Sequence, residues 1–186
     1  MAINKKAFFD NIRGFFGGNI TTIQVQNMEF IIDEFFKAGL CDLRWLAYML
    51  GTVRRECGSD MSPVMEVSRG KGMAYGKVIN GHVYYGRGYV QLTWSGNYKE
   101  MGRLLKIDLY NNPDLALKPE IASKIMIEGM TKGVSTRGDF TGVSLENYFN
   151  AQKTDWINAR RIINGTDKAE LIAGYAKEFY KALTKI

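Results

Sequence analysis

The chain has 186 residues, and 46% of them are hydrophobic, enough for a real core in one domain of one or two lobes spanning residues 1–186. A single histidine, His82, argues against the usual zinc sites and against a Ser/His/Asp triad. Its expected role is a polar residue on a hairpin strand, and the alternative is a proton carrier. The net charge of +6 favours an anionic partner, and the chain has no P-loop, RRM signature or zinc finger that would indicate nucleic acid.

Membrane insertion and secretion are not predicted. The first residues, Met1 to Lys6, lead into an amphipathic pattern rather than a targeting segment, and no run approaches the ~18 apolar residues of a membrane span. We therefore expect a soluble protein made in the cytosol. Cys41 and Cys57 have no metal-type spacing, so the sequence predicts two free, buried thiols.

Three helices are predicted in the first third of the chain. The first covers about Lys5 to Phe16 and stops at two glycines. The second covers about Thr22 to Ala38 and ends at Gly39. The third is capped by Asp42 and runs to Glu56.

The helical period disappears from Ser59 to Gly88, where glycines recur, so this part is predicted to be loop and small sheet. Asn80-Gly81 is a strong signal for a two-residue turn between the strands Val78-Ile79 and His82-Val83. Tyr84 to Trp94 is predicted to continue as a strand, with a helix after Asn97.

The last third is predicted to be helical again. One helix begins at Pro119 and reaches about Lys132, and residues 135–142 form a loop. A short helix ends near Asn164, and a final helix runs from Asp167, as its cap, to Leu183. Because no repeat or linker interrupts the chain, we expect a mainly α fold with a small sheet and no separate wall-binding domain.

Glu56 stands out because it continues an apolar helix stripe formed by Leu46, Met49, Leu50 and Val53. Burial and the helix C-terminus would both raise the pKa of such a carboxyl, which suits a general acid. The alternative is an exposed glutamate at a frayed helix end, or one paired with the two arginines before it.

A second carboxyl follows in the loop after this helix. Glycosidases need one protonated and one ionised carboxyl across the scissile bond. Glu66 and Asp60 are both within reach of the second role, and the spacing does not choose between them. The sequence therefore indicates a carbohydrate-cleaving cleft with Glu56 as its acid.

The stretch from Tyr84 to Asn97 reads YYGRGYVQLTWSGN, and Ile163-Asn164-Gly165 follows late in the chain. Together with Arg55-Glu56 and Glu66, these residues resemble phage endolysins related to the family 19 glycoside hydrolases, a group that includes plant chitinases. The resemblance covers nearly the whole chain and extends to a lysozyme-like α+β fold with a substrate cleft. It departs at Arg55, where the family usually has histidine.

The resemblance implies single-displacement, inverting hydrolysis without metal or cofactor, with Glu56 as general acid, Glu66 as general base and Thr93 holding the attacking water. The implied substrate contacts are Tyr85, Gln91, Asn97 and Asn164. The residue patterns themselves leave open that Tyr85 only packs in the sheet, that Gln91 and Thr93 face solvent, and that Asn164 belongs to a plain helix C-cap.

The expected activity is that of a monomeric phage endolysin, a muramidase-type enzyme cleaving β-1,4 bonds of peptidoglycan. Its partners would be the glycan strands and the anionic bacterial envelope, and it would pass from the host cytoplasm to the wall at lysis. The alternatives are a chitinase and a non-catalytic wall-binding protein. A further alternative is membrane disruption by the last helix, with lysines at 168, 177, 181 and 185, although core packing is its expected main role.

Overall fold

Helices dominate the part of the chain that the computed structural model describes, residues 3–132 and 140–185. The α-helices are α1 (Lys5–Ile12), α2 (Thr22–Lys37), α3 (Leu43–Glu56), α4 (Ser95–Leu105), α5 (Pro119–Thr131) and α6 (Ala169–Thr184). The strands are β1 (Val64–Met65), β2 (Val78–Ile79), β3 (His82–Val83) and β4 (Arg87–Gly88). Turns of 3-10 helix cover Arg13–Phe16, Ala74–Gly76, Pro113–Leu117, Leu145–Asn147 and Asn158–Ile162.

The first three helices begin and end close to the predicted residues. The last turn of the first one is a 3-10 helix that stops at Gly17, where φ is 74°. Thr21 caps α2 by accepting a hydrogen bond from the backbone N–H of Gln24, whose side chain in turn accepts one from the N–H of Thr21. Asp42 caps α3 as predicted, accepting from the N–H of Arg44 at 2.9 Å.

The core is built around α3 and α6. Every residue of α3 from Leu46 to Val53 is buried, and α6 lies directly against it. The helices approach so closely that a Cβ on Gly51 would come within 2.8 Å of the backbone nitrogen of Ala176. Ile172 and Phe179 place the apolar face of α6 in the core, which confirms its expected packing role. No helix in the described ranges is long and apolar enough to cross a membrane.

Two separate two-stranded sheets replace the single small sheet that we expected. The hairpin β2–β3 forms as predicted, with Asn80 and Gly81 both at positive φ, 51° and 76°, as a type I′ turn requires. The second sheet pairs β1 with β4, and Met65 lies opposite Arg87. This pairing connects the loop after α3 to residues 84–97, which we call the glycine-rich motif.

The predicted strand from Tyr84 to Trp94 is wrong beyond its middle. Only Arg87–Gly88 is a strand, and the chain then reverses so that Arg87 pairs with Leu92 through hydrogen bonds of 2.9 and 3.2 Å. Positive φ angles at Gly88 (86°), Gln91 (54°) and Trp94 (69°) prevent an extended strand. The motif is therefore a narrow folded loop, and its side chains do not alternate between two faces.

Two further expectations are wrong, one about the start of α6 and one about the burial of Cys41. Lys168, not Asp167, lies at the N-cap of α6, with φ of 56° and no side-chain cap, and the carbonyl of Asp167 instead accepts a hydrogen bond from Arg160. Both cysteines are free, but Cys41 is exposed because it lies on the surface turn before α3, whereas burial raises the pKa of the Cys57 thiol to about 12. Helix α5 begins at Pro119 as predicted, and most of the expected 135–142 loop lies outside the described residues.

Candidate active site

Glu56 is the last residue of α3, and its side chain is 20% exposed. Its Oε1 lies 2.8 Å from Nη1 of Arg160, a guanidinium that is only 4% exposed and belongs to the 3-10 helix Asn158–Ile162. The two atoms are at ion-pair distance without the alignment of a hydrogen bond. Nε of Arg160 donates to the carbonyl of Asp167 at 3.0 Å, which fixes the guanidinium beside the carboxylate.

Neither neighbouring arginine pairs with Glu56. Arg54 points away, with its guanidinium 5.4 Å from the ring centre of Tyr175 and close to two phenylalanine rings. Arg160 was missed by the sequence argument because it approaches from a distant part of the chain. Only its position just before Ile163-Asn164-Gly165 connects it to a motif that we noticed.

Glu66 follows β1, and both its backbone and its side chain form hydrogen bonds with the glycine-rich motif. Its backbone N–H donates to the carbonyl of Gly86 at 2.8 Å, and its Oε2 accepts from the N–H of Gly86 at 3.1 Å. Its Oε1 accepts a short hydrogen bond from the hydroxyl of Ser68, and the Tyr75 hydroxyl and the Gly70 N–H also donate to the carboxylate. Burial would raise the pKa of Glu66, but these hydrogen bonds together hold it below the ordinary value of 4.5.

Asp60, the alternative for the second carboxyl, has a different environment. It is exposed, and its contact with α2 is through its backbone carbonyl, which accepts from Nδ2 of Asn27 at 3.2 Å. Glu66 is thus the acidic residue of this loop whose carboxylate is oriented by surrounding donors. Ser68 and Tyr75, which the sequence argument did not select, supply two of them.

The predicted residues of the folded motif, Tyr85, Gln91 and Thr93, have different surroundings. Thr93 is half-buried, and its hydroxyl makes no hydrogen bond within the described residues. Gln91 donates through Nε2 to the carbonyls of Val64 and Gly88, at 2.9 and 3.3 Å, so its amide nitrogen ties β1 to the motif. Tyr85 has one ring face covered by the guanidinium of Arg87 at 3.5 Å, which leaves only the opposite face for a sugar.

The two predicted asparagines are both exposed. Asn97 lies in the first turn of α4, and Asn164 follows the 3-10 helix that carries Arg160. Trp94 precedes α4, is 49% exposed and meets the ring of Tyr75 edge-on at 5.6 Å. This aromatic pair was not identified from the sequence. Within the described residues, no group of three His, Cys, Asp or Glu side chains is placed to hold a metal ion.

Comparison with known proteins identifies a family that matches part of the chain. Residues 66–132 match the glycoside hydrolase family 19 model, described as chitinase class I. The chain is 53% identical over 45 residues to endochitinase 1 of Theobroma cacao, a match covering 24% of this chain and 14% of that protein. It is 49% identical over 43 residues to inactive chitinase-like protein 1 of Hevea brasiliensis, covering 23% and 14%. The chain therefore spans only a small part of these curated relatives.

The solved structure of a bacterial family 19 chitinase resembles the whole chain, with a TM-score of 0.61 at 21% identity, covering 100% of this chain and 97% of that one. The chain thus has the fold of family 19 chitinases, which confirms the mainly α, lysozyme-like architecture predicted from the sequence. Together with the family match over residues 66–132, this fold indicates a glycoside hydrolase.

Proposed function

We propose that the protein is a phage endolysin that hydrolyses β-1,4 glycosidic bonds in the glycan strands of bacterial peptidoglycan by an inverting mechanism. The observation that carries the proposal is the state of Glu66. Several donors converge on its carboxylate, lower its pKa and fasten it to the motif that contains Thr93. Activation of water requires an ionised, oriented carboxylate and a hydroxyl that is free to hold the water.

In this mechanism Glu66 takes a proton from a water that the Thr93 hydroxyl orients. A carboxylate has about four acceptor positions, and Ser68, Tyr75, Gly70 and Gly86 donate to them. One of the two hydroxyl donors can turn away and leave an acceptor position for the water. A hydroxyl turns by rotation about one bond, whereas the two backbone N–H donors are fixed and keep the carboxylate in place.

Glu56 acts as the acid in the same step, giving its proton to the leaving oxygen. Arg160 is positioned to stabilise the carboxylate that remains, so the ion pair strengthens as the glycosidic bond breaks. After release of the product, Glu66 returns its proton to solvent, and Glu56, ion-paired with Arg160 between turnovers, takes one up as the next substrate binds. The carboxyl groups must stand about 6.5 to 9.5 Å apart in an inverting enzyme, which leaves room for the water.

The proposed setting follows from the expected substrate. The partners are the glycan strands and the anionic envelope, to which a protein of net charge +6 is attracted. The enzyme would act as a monomer, without nucleic acid, metal or cofactor. It would be made in the host cytoplasm and would reach the wall at lysis through a separate membrane-permeabilising protein.

A chitinase is the second candidate, because relatives that match about a quarter of the chain are named endochitinases. Both candidates use the same acid, base and water, so the stereochemistry tests them together. Proton NMR of the first products from purified wall strands and from chitin oligomers should show the α-anomer before mutarotation. A β-anomer first would refute the inverting mechanism, and no cleavage of either glycan would leave a non-catalytic wall-binding protein.

A further inference from the structure

The loop that follows Glu66 is strongly basic. Residues 67–77, which we call the basic loop, contain Arg69, Lys71 and Lys77 and no aspartate or glutamate. Together these three cations carry a charge of +3, and the net charge of the whole chain is +6. All three are exposed, and none forms an ion pair within the described ranges.

The backbone brings the three cations together. Gly70 and Gly76 touch so closely that a Cβ on Gly76 would lie 1.9 Å from the carbonyl oxygen of Gly70. Arg69 and Lys71 flank Gly70, and Lys77 follows Gly76. Because the two glycines are in contact, the backbone positions of the three cations lie close together. A cluster of like charges without counter-ions is destabilising by itself, which favours an anion from outside.

The basic loop also borders the reacting groups. Ser68, Gly70 and Tyr75 all belong to it and all donate to the carboxylate of Glu66. Glu66 is the acid nearest in sequence to the cations, yet within the described residues its carboxylate contacts these donors and Gly86 and forms no ion pair with the three cations. The cations therefore stand beside the base without being neutralised by it.

We infer that the basic loop binds carboxylates of the substrate, so that the enzyme prefers an acidic glycan to a neutral one. This inference rests on the proposed function and specifies its substrate class. Peptidoglycan carries free carboxylates on its stem peptides and on any lactyl group without a peptide, whereas chitin carries none. Charge complementarity at the edge of a cleft adds modest affinity and faster association, both weakened by salt.

The test is a pair of matched triple variants. One replaces Arg69, Lys71 and Lys77 by Gln. The other, the α6 variant, replaces Lys177 and Lys181 of α6 and Lys185 at its C-cap by Gln; these lysines are also exposed and lack ion pairs within the described residues. Both remove three charges. The substrates are purified wall strands, the same strands with their carboxyls converted to neutral amides, and chitin oligomers.

Exposed ion pairs are individually weak, so three of them correspond to roughly a tenfold rise in KM of the basic-loop variant on native strands. The α6 variant should keep the wild-type KM, and both variants should match the wild type on amidated strands and on chitin. The difference should disappear near 1 M salt, where screening acts within about 3 Å.

Three results would overturn the inference while leaving the proposed function intact. They are an unchanged KM of the basic-loop variant on native strands, an equal loss in both variants, and an equal loss of the basic-loop variant on neutral chitin. If the wild type cleaves none of the substrates, the proposed function fails, and the inference fails with it.

Discussion

The ion pair between Glu56 and Arg160 makes a quantitative prediction about stability. Replacing Arg160 by Met removes a guanidinium that is 4% exposed and lies 2.8 Å from a carboxylate that is 20% exposed. Breaking a fully buried pair from one side costs about 3 to 5 kcal/mol. Because Glu56 keeps some contact with water, we expect a loss of about 2 to 3 kcal/mol in the free energy of unfolding.

The reciprocal change, Glu56→Gln, leaves a buried guanidinium that cannot lose its charge. The uncharged glutamine leaves the guanidinium without its counter-ion, so we expect a loss of about 2 kcal/mol, similar to the loss of an interaction with a charged group. In the double variant neither charge remains unpaired. The two effects should therefore fall short of additivity by at least about 1 kcal/mol, the coupling typical of residues in contact.

Urea unfolding followed by tryptophan fluorescence measures all four proteins of this cycle. Arg55→Met is the matched control, because Arg55 neighbours Glu56 in sequence but makes no ion pair within the described residues. It should change the free energy of unfolding by less than about 0.5 kcal/mol, as surface substitutions do. If the losses in unfolding free energy from Arg160→Met and Glu56→Gln simply add, the two side chains do not stabilise each other, and the prediction is refuted.

Three more predictions concern the base, the water and the core. Ser68→Ala removes a donor that lowers the pKa of Glu66. The acid limb of the pH–activity profile should lie below pH 4.5 in the wild type and at higher pH in the variant. An unchanged acid limb would mean that Glu66 is not the base. Thr93→Ala should lower kcat by one to two orders of magnitude while Thr93→Ser keeps most of it, and equal losses in both would exclude a role for the hydroxyl. Gly51→Ala should destabilise the fold by about 1 to 3 kcal/mol through its clash with α6, whereas Gly174→Ala, with open space around it, should stabilise slightly; thermal unfolding compares the two.

Local features of the fold were predictable because their causes are local. Asp42 begins α3, and Asn80-Gly81 closes the hairpin, through interactions among neighbouring residues. The extended strand from Tyr84 to Trp94 was predicted wrongly, because its residues favour a strand individually and the positive φ angles that fold it are imposed by tertiary contacts.

The residues of the candidate site were likewise predictable only where a local pattern or a motif marks them. The helical stripe led to Glu56, and the motif resemblance led to Glu66 and Thr93. Arg160 could not be found, since an ion pair between distant segments leaves no periodic pattern in the sequence. Ser68 and Tyr75 were missed for a related reason, because their contact with Glu66 depends on the fold of the basic loop.

The most direct test of the central claim is digestion of purified peptidoglycan by the wild type and by Glu56→Gln, under conditions in which circular dichroism shows both to be folded. Mass spectrometry before and after borohydride reduction identifies the new reducing ends. We predict reducing-end muramic acid from the wild type and none from Glu56→Gln. Equal release of fragments by both proteins would contradict the role of Glu56, and no release by the wild type would contradict the assignment as a peptidoglycan hydrolase.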